Sequence, residues 1–117
     1  EEGTRTMRRD LLVYLAGPLT STPDYPAVHN IKQAVDIYLQ LLSQDIPAIC
    51  PHLAGAFSDA WTIVSYEQWI AYDLLLLERC THVLMLPRWQ SSPGARREYD
   101  HAIKLQKPIV WSIDEIC

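Results

Sequence analysis

The sequence has little that would suit a membrane or the surface of a nucleic acid. No apolar run approaches the roughly 20 residues that a membrane-spanning helix needs,. Ten Lys and Arg residues stand against 14 Asp and Glu residues, so the formal net charge is −4. Duplex nucleic acids and anionic membranes are both bound by basic surfaces. The composition therefore predicts a protein that binds neither duplex nucleic acid nor a membrane.

Patterns that bind metals or form disulfide frameworks are also absent. The three cysteines, Cys50, Cys80 and Cys117, lie far apart and form no CxxC motif, which argues against a disulfide framework and against a zinc site. The four histidines form no HExxH motif,. We therefore expect no metal and no cofactor, and this use of cysteine is typical of a reducing cytoplasm.

The beginning of the chain lacks the apolar centre of a signal peptide and is rich in charge,. The first residue is Glu1, and Met7 is a candidate natural start. We expect residues 1–10 to be a flexible lead. The remaining residues, 11–117, suit a single domain, because a chain of 117 residues is long enough for one domain and no more,.

What the sequence does contain is a regular alternation of short apolar runs and amphipathic stretches, punctuated by eight prolines. The apolar runs predict strands, and the helical spacing of apolar residues predicts helices. The predicted strands are 11–16, 46–50, 81–86 and 108–112. The predicted helices are about 27–44, 66–79 and 93–105, with a long connection over 51–64 that has room for a helical turn. This order is typical of an α/β fold with a parallel sheet.

In such a sheet, ligands bind beyond the carboxyl ends of the strands. Gly17 and Pro18 follow the first predicted strand, His52 follows the second and Trp89 follows the third. These four residues are therefore candidates for binding a substrate. An exposed Trp89 would be able to stack on a nucleobase, although a position in the core or in an interface is the alternative.

Two carboxylates fall on or beside helix faces that should pack against the sheet. Glu98 lies between Ala95 and Ala102 in the last predicted helix, and Asp73 lies between Ile70 and Leu77 in the preceding one. An inward carboxylate needs a partner or acquires a raised pKa. The alternative for Glu98 is a boundary position where it reaches solvent or pairs with an arginine. Two inward acids favour glycoside chemistry, in which one attacks and the other manages a proton or positions the substrate.

The turn before the last predicted helix combines hydroxyl groups, a proline and a glycine. Ser92 followed by Pro93 is a strong helix start,. Backbone N–H groups at such a start, with Ser92 and Gly94, can bind an anion. A simple N-cap by Ser92 is the alternative. The absence of a G-x-S-x-G motif argues against a serine hydrolase.

Three segments together resemble the nucleoside 2-deoxyribosyltransferase-like superfamily, and in particular its short bacterial and phage relatives. They are VYLAGP at 13–18, the stretch from Trp69 to Asp73, and LPRW at 86–89 with SPGARRE at 92–98. The last segment follows the family's S-x-G-x-x-x-E pattern, and the resemblance covers about residues 11–112. It implies a flavodoxin-like three-layer α/β/α sandwich with a parallel sheet of about four to five strands.

The resemblance also implies cleavage of the N-glycosidic bond between a nucleobase and a sugar. By this correspondence Glu98 is the nucleophile, and Asp73 contacts the base or protonates it as it leaves. Tyr14 holds the nucleophile. In members that hydrolyse nucleoside monophosphates, the equivalents of Ser92 and Gly94 help to hold the 5′-phosphate.

We therefore expect an N-glycosidase that acts on a nucleoside or a nucleoside 5′-monophosphate. Transfer to a second base is less favoured, because residues 113–117 lack the C-terminal asparagine that transferases of the superfamily often supply from a neighbouring subunit. The alternatives are a non-catalytic nucleotide-binding module, a deoxyribosyltransferase and, more remotely, an enzyme that hydrolyses NAD. The assemblies of the relatives, and four tryptophans in so short a chain, predict a homo-oligomer, either a dimer or a tetramer,.

Overall fold

A computed structural model describes residues 6–18, 26–55 and 63–116, so residues 1–5 of the expected lead lie outside the described residues. The order of elements agrees with the predicted alternation. The elements are β1 (Val13–Ala16), α1 (Ala27–Ser43), β2 (Ala48–Ile49), α2 (His52–Gly55), α3 (Tyr66–Arg79), β3 (His82–Met85), α4 (Pro93–Lys104) and β4 (Ile109–Val110), with 3₁₀ turns at Trp89–Ser91 and Ile113–Glu115. Within these described ranges, no helix is both long and apolar enough to cross a membrane.

The four strands form one parallel sheet in the order β2-β1-β3-β4. The predicted α/β fold with a parallel sheet of four strands is thereby confirmed. The order equals the first four positions of the flavodoxin-like arrangement, in which the chain changes direction between β1 and β3. A crevice opens beyond the carboxyl ends of the strands at such a reversal, which places a potential site at the ends of β1 and β3.

Successive residues of β1 point to opposite faces of the sheet, as the strand period requires. Val13 and Leu15 belong to a core that includes Leu41 of α1. Tyr14 and Ala16 belong to a second core, which includes Leu77 of α3 and Ala102 of α4. Helical residues therefore complete a core on each face of the sheet.

The helices that carry the two inward acids both begin at well-defined caps. Ser65 and Gln68 form a capping box at the start of α3, in which each side chain accepts a hydrogen bond from the other residue's backbone N–H,. At the start of α4, the Ser92 hydroxyl oxygen accepts a hydrogen bond from the Ala95 N–H at 3.2 Å, and Pro93 occupies the first helical position,. The predicted starts of both helices are confirmed.

Candidate active site

The ends of β1 and β3 meet closely at Gly17. A Cβ atom at this position would lie 2.6 Å from the Cβ of Leu86. Glycine is therefore required for the two strand ends to approach each other. Gly17 lines the cavity described next, whereas the neighbouring Pro18 is fully buried beside it and does not line the cavity.

A cavity of about 460 Å³ opens at this edge of the sheet, between the first turns of α3 and α4 and the carboxyl end of β2. Its volume lies within the range of small-molecule sites, about 300–1,000 Å³. Its polar side chains are His52, Asp73, Ser92 and Glu98, and its apolar and aromatic side chains are Pro51, Tyr66, Trp69, Ile70, Pro93 and Ala95. The structure therefore brings together both inward acids, His52 and the start of α4.

Glu98 is the most deeply buried acid of the cavity, with only 6% of its surface exposed. The Tyr14 hydroxyl donates a hydrogen bond of 2.6 Å to Glu98 Oε2. Burial raises the pKa of Glu98 to about 8; the hydrogen bond from Tyr14 opposes this rise, and the charge of Asp73 adds to it,. Burial also raises the pKa of Tyr14 well above its usual value. Tyr14 therefore keeps its proton and remains a donor to Glu98.

Asp73 lines the same cavity from α3 and is partly buried. Burial raises the pKa of Asp73 to about 6. Its negative charge in turn raises the pKa of both Glu98 and Tyr14, so the ionisation of Glu98 depends on that of Asp73. Such a pair titrates as a unit, and between about pH 6 and pH 8 it retains one proton,.

His52 lies in the wall of the cavity with 3% of its surface exposed. Burial lowers its pKa to about 4, with the backbone of Gly17 and Pro18 acting in the opposite direction, so the imidazole is neutral at pH 7. Its Nδ1 lies 3.9 Å from Cys50 Sγ. Its Nε2 is buried and has no hydrogen-bond partner within the described part of the chain. A buried polar atom of this kind normally finds a partner, which a ligand in the cavity would provide.

Ser92 and Gly94 also line the cavity. Ser92 forms the N-cap of α4, as the alternative interpretation of this turn expects. Gly94 faces α3 closely, since a Cβ there would lie 3.5 Å from Tyr66 Oη and from Ile70 Cδ1. In the described ranges, no group of three or more His, Cys, Asp and Glu residues could hold a metal ion.

Trp89 lies outside the cavity. Its ring stacks on Tyr99 with the centroids 4.6 Å apart, and Trp111 packs against both rings. The aromatic side chains that line the cavity are instead Trp69 and Tyr66 of α3. A sequence signal for Trp69 exists, because it precedes Asp73 by four residues and so lies on the same helix face.

The structure thus combines a four-stranded parallel α/β sheet with a cavity at the reversal of the strand order, and two acids line that cavity,. The family model described as "Domain of unknown function (DUF4406)" matches residues 11–111. The chain therefore belongs to the DUF4406 family. No curated protein matches the chain.

Proposed function

We propose that the protein is an N-glycosidase that cleaves the base–sugar bond of a nucleoside or a nucleoside 5′-monophosphate. The observation that carries this proposal is the buried carboxyl group of Glu98, which accepts a hydrogen bond from Tyr14 and shares a cavity with Asp73. Two acids whose surroundings separate their pKa values are typical of a site that needs one acid and one base,.

In the first step, an ionised oxygen of Glu98 attacks the anomeric carbon of the sugar. The bond between that carbon and the base nitrogen breaks, and its electron pair goes to the nitrogen, which takes a proton from the carboxyl group of Asp73. The hydrogen bond from Tyr14 favours the ionised form of Glu98. The products of this step are a free base and a glycosyl ester of Glu98.

In the second step, water attacks the anomeric carbon and Asp73, now ionised, accepts the proton of the water. The bond between the carbon and the Glu98 oxygen breaks, which frees the sugar and restores the carboxylate. The whole cycle needs one proton on the acid pair at its start. The pair holds one proton between about pH 6 and pH 8, and the higher pKa of Glu98 places it mainly on Glu98, so the attack requires that this proton first pass to Asp73,.

The walls of the cavity suit the base. Trp69, Tyr66 and Ile70 offer apolar and aromatic surface for a flat ring,. His52 offers a neutral, unpartnered Nε2 that can form a hydrogen bond with the base or the sugar. The ligand in this proposal is a small nucleoside or nucleotide, and no cofactor takes part.

Two alternatives use the same cavity. A non-catalytic binding module would need the walls but not a buried carboxyl group, and burial of that group costs folding free energy. A deoxyribosyltransferase would replace water by a second base in the second step. The cysteine usage favours a cytoplasmic location, and a homo-oligomer, a dimer or tetramer, remains a prediction.

The decisive experiment is a screen for free base after incubation with nucleosides and their 5′-monophosphates. We expect Glu98→Gln to reduce base release by at least about a thousandfold while circular dichroism shows a retained fold. The matched control is Glu67→Gln on α3, an exposed carboxylate that pairs with Arg97 and does not line the cavity. Its activity should stay near that of the parent. Undiminished base release by Glu98→Gln would show that Glu98 is not the nucleophile.

A further inference from the structure

The ionisable groups of the cavity are acidic or neutral. Asp73 and Glu98 are its two carboxyl groups, and His52 is uncharged at pH 7 because of its burial. No Lys or Arg is among the residues that line the cavity in the described part of the chain. The cavity therefore carries negative charge whenever either acid is ionised.

The arginines nearest in sequence to the start of α4 are directed to other groups. Arg97 forms two hydrogen bonds with the Glu67 carboxylate, at 3.0 and 3.2 Å. Arg96 donates to the backbone oxygen of Gln90 at 2.8 Å. Arg96 is therefore engaged outside the cavity, and Arg97, which also adjoins Tyr66 in the cavity wall, is paired there with the Glu67 carboxylate.

The connecting segments outside the described residues cannot supply a cation either. The sequences of 19–25 and 56–62 contain no Lys and no Arg, and each contains one aspartate, Asp24 and Asp59. Neither of these two segments therefore has a Lys or Arg side chain to offer.

The start of α4 offers few donors to an anion. Pro93 has no N–H, and the Ala95 N–H is hydrogen-bonded to Ser92 Oγ. The Gly94 N–H and the hydroxyl proton of Ser92 remain among the groups of this first turn that line the cavity. Phosphate sites at helix starts depend on several converging N–H groups, and a buried anion without enough partners is strongly disfavoured.

We infer that the cavity selects an uncharged nucleoside over its 5′-monophosphate, and that Pro93, by removing an N–H from the start of α4, is a residue that determines this selectivity. The inference rests on the proposed function for the nature of the ligand, and it deepens that proposal by choosing between its two substrate classes. The selectivity has two sources within the described residues, which are the negative charge of the acid pair and the small number of donors at the start of α4.

The test is calorimetric titration of the intact protein with 2′-deoxyadenosine, 2′-deoxyguanosine, 2′-deoxycytidine, thymidine and the 5′-monophosphate of each. The best nucleoside should bind at least about tenfold more tightly than its monophosphate. Inorganic phosphate should not displace it. Pro93→Ala should lower the ratio of nucleoside to monophosphate affinity. It restores an N–H at the start of α4 and should therefore improve binding of the monophosphate. The matched control is Pro87→Ala, an exposed proline outside the cavity, which should leave the ratio unchanged.

Binding of a monophosphate as tight as that of its nucleoside would overturn the inference, and so would a failure of all four nucleosides to bind. If the Pro93→Ala variant keeps the parent's ratio of nucleoside to monophosphate affinity, Pro93 does not determine the selectivity. Base release is measured separately on the same compounds. Selective binding without base release contradicts the proposed function alone, whereas faster release from monophosphates contradicts the selectivity alone.

Discussion

The two faces of the sheet are built from the same strands but use their residues differently. On the α1 side, Val13 and Leu15 pack with Leu84 and Leu86 into an apolar core. On the α3 and α4 side, the intervening Tyr14 reaches the carboxyl group of Glu98 at the edge of a cavity. Burial of a carboxyl group costs free energy that apolar packing would gain. The apolar face therefore contributes to stability, whereas the other face carries the cost of a buried carboxyl group, which the proposed function would explain.

The α1 side has its own buried polar contact, and it differs in kind. Arg88, which has a left-handed backbone with a φ of 64°, donates to the Oδ1 of buried Asn30. The acceptor in this contact is a neutral amide oxygen, whereas the acceptor on the opposite face is a carboxyl group that can lose its proton,.

Loss of apolar volume on the α1 side should have the largest effect on stability. We expect Leu15→Ala to lower the free energy of unfolding by about 2–5 kcal/mol, because Leu15 is fully buried and its removal leaves a cavity,. Base release per folded molecule should remain within about threefold of the parent, since the site lies on the other face. Urea denaturation at 15 °C and a rate normalised to the folded fraction would check both expectations. A loss of activity larger than the loss of folded protein would contradict the division of roles between the faces.

The next largest effect concerns the dependence of stability on pH. The Glu98 pKa is about 8 in the folded protein against 4.5 for an ordinary glutamate. Between these values the folded state holds a proton that the unfolded chain has released, so the stabilisation present below pH 4.5 is lost as the pH rises towards 8. Glu98→Gln has no such proton to lose. We expect the variant to exceed the parent by about 2 kcal/mol or more at pH 8.5 and to equal it near pH 4.

Thermal or urea denaturation of both proteins across pH 4–8.5 provides the measurement. The difference between the two proteins reports Glu98 together with its influence on Asp73, whereas His52, which also has a shifted pKa, is present in both,. Glu67→Gln is the control for loss of a carboxylate in an exposed position. If stability depends on pH in the same way in the parent and in Glu98→Gln, the buried acid does not reduce stability as the pH rises.

Much of the fold follows from local signals in the sequence. The bounds of α3 agree with the prediction at both ends, because its start has a capping box,. Strand ends are less predictable. The run 108–112 is apolar enough for a longer strand, yet β4 comprises Ile109–Val110 only, since an apolar run does not reveal where pairing with the neighbouring strand stops.

The site is harder to predict, because it depends on contacts between distant segments. Periodicity places Glu98 and Asp73 on inward faces, but the role of Tyr14 came from the resemblance alone, and 84 positions separate it from Glu98. The sequence alone likewise does not show which tryptophan lies at the cavity. The 3₁₀ turn that begins at Trp89 brings its ring onto Tyr99, while the regular geometry of α3 brings Trp69 to the cavity.

The smallest of the expected effects is also the most specific to the site. Tyr14→Phe removes the hydroxyl that favours ionised Glu98 and keeps the ring. The maximal rate should fall by about tenfold to a hundredfold, as is usual for loss of a hydrogen bond to a charged group. The limb of the pH–rate profile on which Glu98 ionises should also move to higher pH, because a contribution that lowers its pKa is lost. Tyr38→Phe, on the α1 side, should change neither property. An unchanged rate with an unmoved limb would mean that Tyr14 only fills space, and that the chemical difference between the two faces does not extend to β1.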